Sequence, residues 1–111
     1  MRIMVMVVST SWFPTSKSSE VGKKYLEILK QFPQDKTISK IIVPVGVRTT
    51  TDGMKAFSIS EIKEGKLKEF MDIAYKQILI YSEIEGYKTE MEFFMSGAEA
   101  LPLVGLEMPD L

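Results

Sequence analysis

The chain has 111 residues and a formal net charge of −1, from 14 Lys and Arg against 15 Asp and Glu, and this length suits one domain with a modest core. The balanced charge disfavours a general binder of nucleic acid or anionic membranes, because both usually carry a basic excess. Cys and His are absent, which excludes disulfides, thiolate nucleophiles, Ser-His-Asp catalysis, His-ligated haem and most zinc sites.

The apolar segments of the sequence are short. No run of about 18 apolar residues occurs, so we expect no membrane-spanning helix. The apolar start lacks the small-residue cleavage site of a signal peptide. We therefore expect a cytoplasmic protein, with no cofactor, no metal, no nucleic acid and no membrane as partner.

The first predicted element is a strand over about residues 2–10, within the segment IMVMVVSTSW. Its apolar side chains fall on both faces, with Val5 and Val7 on one and Met6 and Val8 on the other. A strand with one wet face alternates apolar and polar residues, so this pattern indicates that both faces are covered. It does not determine which face meets the helices.

A helix follows, predicted to begin after a serine cap at Ser16 or Ser18 and to run to about residue 32. The second strand, about residues 38–48, contains Pro44. Proline cannot donate to a central ladder, so Pro44 indicates an edge strand. Asp52-Gly53 is a strong hairpin signal and leads into a third strand at about 54–60.

The second helix is predicted at about 66–85 and the fourth strand at about 87–95. Glu90 and Glu92 share one face of that strand, where they act either as a carboxylate pair or, more simply, as a guard against edge pairing. Residues 97–111 are apolar but broken by Gly and Pro. They indicate a short turn or helix and then an extended strap, on this domain or on another subunit.

The predicted order is β-α-β-β-α-β, an α+β domain of ferredoxin-like topology over residues 1–96, followed by the apolar C-terminal strap at 97–111. This topology has a four-stranded antiparallel sheet of order 4-1-3-2 with both helices on one face. The other face then collects apolar residues of the first strand. A second copy of the same sheet is the simplest cover, so we expect a homodimer or larger homo-oligomer.

The segments RIMVMVVSTSWFP, TDGMKAFSISE and YKTEMEFFMS, with the two intervening helices, resemble the dimeric α+β barrel superfamily, and in particular its small uncharacterised members. The resemblance covers about residues 2–96 and implies that the sheets of two subunits pair. Members of that superfamily include cofactor-free monooxygenases, muconolactone-type isomerases and haem enzymes. The haem enzymes mostly ligate through His, which this chain lacks, and fold alone does not choose among the others.

Six residues are candidates for ligand binding. They are polar or aromatic side chains at strand ends and on helices: Ser9, Ser11, Trp12, Tyr25, Arg48 and Tyr75. The serines suit a pocket mouth between sheet and helices, and Arg48 suits a carboxylate. The simpler alternatives are that Trp12 caps the core or that the strand ends in solvent, that Arg48 is a surface residue, and that Tyr25 belongs to the core stripe of its helix.

Two functions stay open. The first is a small oligomeric module that binds a small apolar or aromatic ligand without catalysis, or is purely structural. The second is a cofactor-free monooxygenase or isomerase, in which the pocket supplies shape, a Trp and a few polar groups while the substrate carries the hard chemistry. Four tyrosines are available as proton donors to a substrate oxygen, namely Tyr25, Tyr75, Tyr81 and Tyr87. Tyr25 and Tyr81 also fit the core stripes of their helices. The sequence identifies no catalytic residue for the second.

Overall fold

The computed structural model describes residues 5–110, and its elements follow the predicted β-α-β-β-α-β order. They are β1 (Val5–Phe13), α1 (Ser18–Gln31), β2 (Ser39–Thr50), β3 (Gly53–Ile62), α2 (Leu67–Tyr81), β4 (Lys88–Met95) and α3 (Gly97–Ala100), with 3₁₀ turns at Thr15–Lys17 and Leu101–Val104. The predicted α+β class is confirmed. Residues 2–4 of the predicted first strand lie outside the described residues.

The four strands form one antiparallel sheet in the order β2-β3-β1-β4. Read from the β4 edge, this is the order 4-1-3-2. Pro44 therefore lies on an edge strand, as predicted, and the pairing of β2 with β3 shifts between Ile41 and Val43 and again between Val43 and Gly46. Such bulges twist an edge strand and discourage pairing with another chain.

The start of α1 and the end of α2 differ from the predicted positions. The chain enters α1 through the 3₁₀ turn, so Lys17 is the N-cap and makes no side-chain capping bond. The predicted serine cap is therefore wrong, and the Ser18 hydroxyl donates instead to the carbonyl of Thr15. Helix α2 ends at Tyr81 rather than at residue 85, and Gly86, at φ 83°, makes the turn into β4.

The helices lie side by side on one face of the sheet. Lys24 in α1 pairs with Glu83, just after α2, at 2.8 Å between Nζ and Oε2. Tyr81 of α2 stacks on Tyr87, and Tyr87 stacks on Phe13 of β1. The side of the sheet to which Phe13 points is called the covered face below, and the opposite side is called the open face.

Strand pairing assigns the remaining side chains to these faces. On the covered face lie Val5, Val7, Ser9, Ser11 and Phe13 of β1, Met54, Ala56, Ser58, Ser60 and Ile62 of β3, and Thr89, Met91, Phe93 and Met95 of β4. Met6, Val8, Thr10 and Trp12 lie on the open face with Lys55, Phe57, Ile59 and Glu61 of β3. The sequence left the orientation of β1 undecided, and the structure assigns Val5 and Val7 to the helix side.

The buried core is small for the length of the chain. Its apolar members are Val7, Phe13, Ile28, Ile62 and Ile84. The chain exposes 7919 Å², whereas a compact monomer of this mass exposes about 6,200 Å². Its Cα radius of gyration is 15.9 Å, against about 13 Å for a compact domain of this length.

The molecule is a flat slab with extents of 49 × 32 × 20 Å. The shortest extent corresponds to one sheet and one helical layer, since packed layers lie about 10 Å apart. Between residues 5 and 110, no helix has the length and apolar character needed to cross a membrane.

Candidate functional site

The centre of the covered face is lined by hydroxyl groups. Ser9 of β1 lies directly opposite Ser58 of β3, with Ser11 and Ser60 two positions further along their strands. These four residues are called the serine patch. All four are half-buried although they belong to the two central strands. Solvent therefore reaches part of the middle of this face.

The ends of the same face are closed by larger residues. Val7 and Ile62, next to Ser9 and Ser60 along their strands, are each 1% exposed. Phe13 is buried at the other end, where its ring centroid lies 6.2 Å from that of Tyr87. The serine patch is thus a polar interruption in an otherwise apolar layer.

Three tyrosines border the patch and are called the tyrosine cluster. Ser11 lies close enough to the Tyr87 hydroxyl to lower its pKa. Tyr81 stacks on Tyr87, with ring centroids 4.8 Å apart, and Tyr25 of α1 is close enough to Tyr81 for their charges to interact. Stacked rings and hydroxyls together suit a ligand with an aromatic or apolar body and a polar end.

Both central tyrosines hold their protons strongly. Burial raises the pKa of Tyr81, and the neighbouring Tyr87 and Tyr25 raise it further. Burial also raises the pKa of Tyr87, which the nearby Ser11 partly offsets. These hydroxyls are protonated at neutral pH, as those of ordinary tyrosines are, and the raised pKa values extend that state to higher pH. They can donate hydrogen bonds to a carbonyl or hydroxyl oxygen.

The structure divides the six sequence-predicted ligand residues into three groups. Ser9 and Ser11 lie on the covered face, and Tyr25 of α1 lies near Tyr81. Trp12 and Arg48 lie on the open face, away from the serines. Tyr75 is 62% exposed on the outer side of α2.

Trp12 therefore does not cap the helix-side core. It is 36% exposed, and the Lys55 ammonium lies 5.9 Å from the centroid of its ring, a cation–π contact. Trp12 and Arg48 belong to one cross-strand row, because Arg48 pairs with Lys55, Lys55 with Trp12, and Trp12 with Lys88. This basic row crosses one end of the open face.

The middle of the open face is apolar. Val8 and Ile59 pair directly across β1 and β3, and Val43 of β2 pairs with Ile59. Phe57 is 39% exposed, and its ring lies over Gly46, where an added Cβ would come within 2.3 Å of the ring. Gly46 thus lets the aromatic ring lie flat on the sheet.

Sequence reasoning missed Ser58 and Ser60 as site residues and assigned Tyr81 to the core of its helix. A signal for the two serines was present in AFSIS, where small residues alternate with Phe57 and Ile59. That alternation separates a small polar face from a large apolar one. The proximity of Tyr81 to Tyr87 depends on the turn after α2 and has no local signal.

Comparison with known proteins identifies no family. No family model matches the chain, and no curated protein matches it. Among solved structures, the chain is similar to "De novo designed protein Foldit4", with a TM-score of 0.58 and 9% identity, over 85% of this chain and 98% of that chain. At such low identity the likeness concerns the fold alone.

Proposed function

We propose that the protein is a homodimeric module of ferredoxin-like fold, of the dimeric α+β barrel type, that binds a small apolar or aromatic compound through the serine patch. The observation that carries this proposal is the exposure of Ser9, Ser11, Ser58 and Ser60 beneath the helices. A layer that served only as core would carry aliphatic residues at these central positions. The bound compound carries a hydroxyl or carbonyl group that the serines and the tyrosine cluster recognise.

The dimer has separate support in the area that the single chain exposes. The excess over a compact monomer is about 1,700 Å², of which the exposed C-terminal residues contribute a part. A standard interface buries about 800 Å² per partner. The apolar middle of the open face is therefore an appropriate surface for a second copy of the chain.

An enzymatic role is the second candidate, and the protonated tyrosines favour it. A cofactor-free isomerase or monooxygenase needs a donor beside a substrate oxygen, and the hydroxyls of Tyr81 and Tyr87 are protonated at neutral pH, as those of tyrosines ordinarily are. In that case the same pocket holds the substrate. Turnover by the wild-type protein that is lost in both Tyr81→Phe and Tyr87→Phe would favour this candidate.

Native mass spectrometry of the purified protein tests both parts of the proposal. We expect twice the chain mass under gentle conditions and a released small molecule under denaturing ones. Phenol, benzoate and indole then serve as defined probes, with binding followed by the shift in melting temperature. The double variant Ser9→Val with Ser58→Val should fill the patch and abolish both the carried compound and the probe shift.

Thr10→Val is the matched control, because it removes a hydroxyl from the open face of the same strand. It should bind the probes as the wild type does. A wild-type protein that carries nothing and responds to none of the three probes would overturn the binding role. A monomer at micromolar concentration would overturn the dimer.

A further inference from the structure

The charges of the open face fall mainly on two lines, and the opposite-charge neighbours Lys40 and Glu61 lie at the far end of the face. Its basic row consists of Arg48, Lys55 and Lys88, with Trp12 between the last two. Along the β4 edge lie Glu90, opposite Thr10, and Glu92, opposite Val8. The basic row runs across the strands and the acidic pair runs along one of them, so the two lines of charge meet at the Lys88 corner.

We infer that two copies pack with their open faces crossed about a two-fold axis along one diagonal of the face, so that the basic row of each copy meets the acidic edge of the other. This inference rests on the proposed dimer and specifies its geometry. The axis runs from the Lys88 corner, where β4 begins, to Lys40 on β2. Rotation about it exchanges rows with strands and brings Arg48 and Lys55 over Glu90 and Glu92 of the second copy.

Other two-fold arrangements bring like charges together. An axis parallel to the strands stacks the basic row on itself, with Arg48 opposite Lys88. An axis perpendicular to the strands places Glu90 opposite Glu92 and Arg48 opposite Lys40. Its one attractive contact, between Lys55 and Glu61, offsets only part of this repulsion. The second diagonal places Lys88 against Lys40 and Glu90 against Glu61. Like charges held face to face disfavour each of these.

The inferred diagonal also matches the apolar part of the face. It places Phe57 of one copy over Val8 of the other and brings Ile59 close to its own symmetry mate. Sheets packed near 90° are one of the two common classes of sheet packing. Lys88 and Lys40 lie at the two ends of the axis, so each approaches its own mate. Both are exposed at the rim, where solvent screens the repulsion.

Single-stranded nucleic acid is the competing occupant, because aromatic side chains beside cations bind it. Trp12 and Phe57 are both exposed on this face. The acidic residues Glu90 and Glu92 border the same surface and would repel phosphates, whereas they complement a second copy. A second copy is therefore the occupant that the charge pattern favours.

Charge reversal tests the inference directly. The variant Glu90→Lys with Glu92→Lys makes both lines basic, and Arg48→Glu with Lys55→Glu makes both acidic. We expect each variant alone to dimerise at least about tenfold more weakly than the wild type, because both cross-subunit contacts become repulsive. Mixed together they should form a heterodimer, detected by native mass spectrometry from their different masses, and the quadruple variant should dimerise as the wild type does.

Matched controls carry the same change of net charge on the helices. They are Glu27→Lys with Glu69→Lys, and Lys23→Glu with Lys76→Glu, and both should dimerise as the wild type does. The crossed geometry is overturned if the open-face variants keep wild-type affinity, or if the mixture yields no heterodimer. Tight binding of a fluorescent single-stranded oligonucleotide that is lost in Arg48→Glu with Lys55→Glu would also overturn it. A monomeric wild type would instead overturn the proposed dimer itself.

Discussion

The two faces of the sheet differ in the residues at their centres, and the polar and apolar residues are distributed in the opposite way from that expected of a stable monomer. In the middle of the covered face lie small hydroxyl residues, Ser9 and Ser58, directly opposite each other under the helices. In the middle of the open face lie Val8 and Ile59, also directly opposite each other, on the side of the sheet away from the two long helices. This distribution is the basis of both proposals. Apolar area is stabilised by removal from water, so the open side suits a second copy of the chain, and the hydroxyl residues of the covered side suit the polar group of a small apolar or aromatic compound.

A charge placed on the open face should have the largest effect, on the affinity of the dimer. Phe57→Asp should weaken the dimer by about a thousandfold or more, because an unpaired carboxylate buried in the interface costs about 4 kcal/mol or more. The folded monomer should persist, since Phe57 is 39% exposed in the single chain. Analytical ultracentrifugation over a range of concentrations measures the dissociation constant.

Leu79→Asp is the matched control, since Leu79 is an exposed apolar residue in the outer row of α2. It should leave the dimer intact. If Leu79→Asp dissociates the protein and Phe57→Asp does not, the helical layer is the interface and the assignment of the two faces is reversed.

The sequence predicted the order of elements well because periodicity and turn residues act locally. Pro44 and Asp52-Gly53 placed the edge strand and the hairpin correctly, since each restricts the backbone at its own position. The faces of β1 were undetermined, because Val7 and Val8 are chemically the same. The stack of Phe13 on Tyr87 and the complete burial of Val7 distinguish the two faces.

The candidate site was predictable only in part. The sequence places Ser9, Ser11 and Trp12 together at the end of one strand as a possible pocket mouth. In the structure the two serines lie on the covered face, whereas Trp12 projects to the other face because neighbouring residues of a strand alternate. The sequence predicts that the first strand ends at about residue 10, three residues before its actual end at Phe13. Trp12 therefore lies outside the predicted strand, and the alternation of side chains was not applied to it.

Apolar residues in place of the serines of the covered face should change the stability of the protein. Ser9→Val with Ser58→Val should raise the free energy of unfolding of the ligand-free protein by about 1 kcal/mol, because valine suits a strand and fills the space with buried methyl groups. Urea unfolding measures this change. A loss of stability instead would mean that the serines already pack tightly and that no space for a ligand exists there.

The smallest expected effect concerns the proton of Tyr81. Burial raises the pKa of Tyr81 in the folded state, whereas in the unfolded chain it ionises near pH 10. Above that pH the unfolded state binds fewer protons than the folded one, so the free energy of unfolding falls as the pH rises. One group can change the free energy of unfolding by at most about 1.4 kcal/mol per pH unit, and the partial exposure of Tyr81 makes its contribution smaller.

Tyr81→Phe should therefore lose less stability between pH 9 and 11 than the wild type does, measured by urea unfolding at each pH. Tyr75→Phe, on the outer side of the same helix, controls for the substitution itself. Equal losses in the wild type and Tyr81→Phe would show that Tyr81 is open to water, and the covered face would then lack the enclosed aromatic wall that a ligand needs.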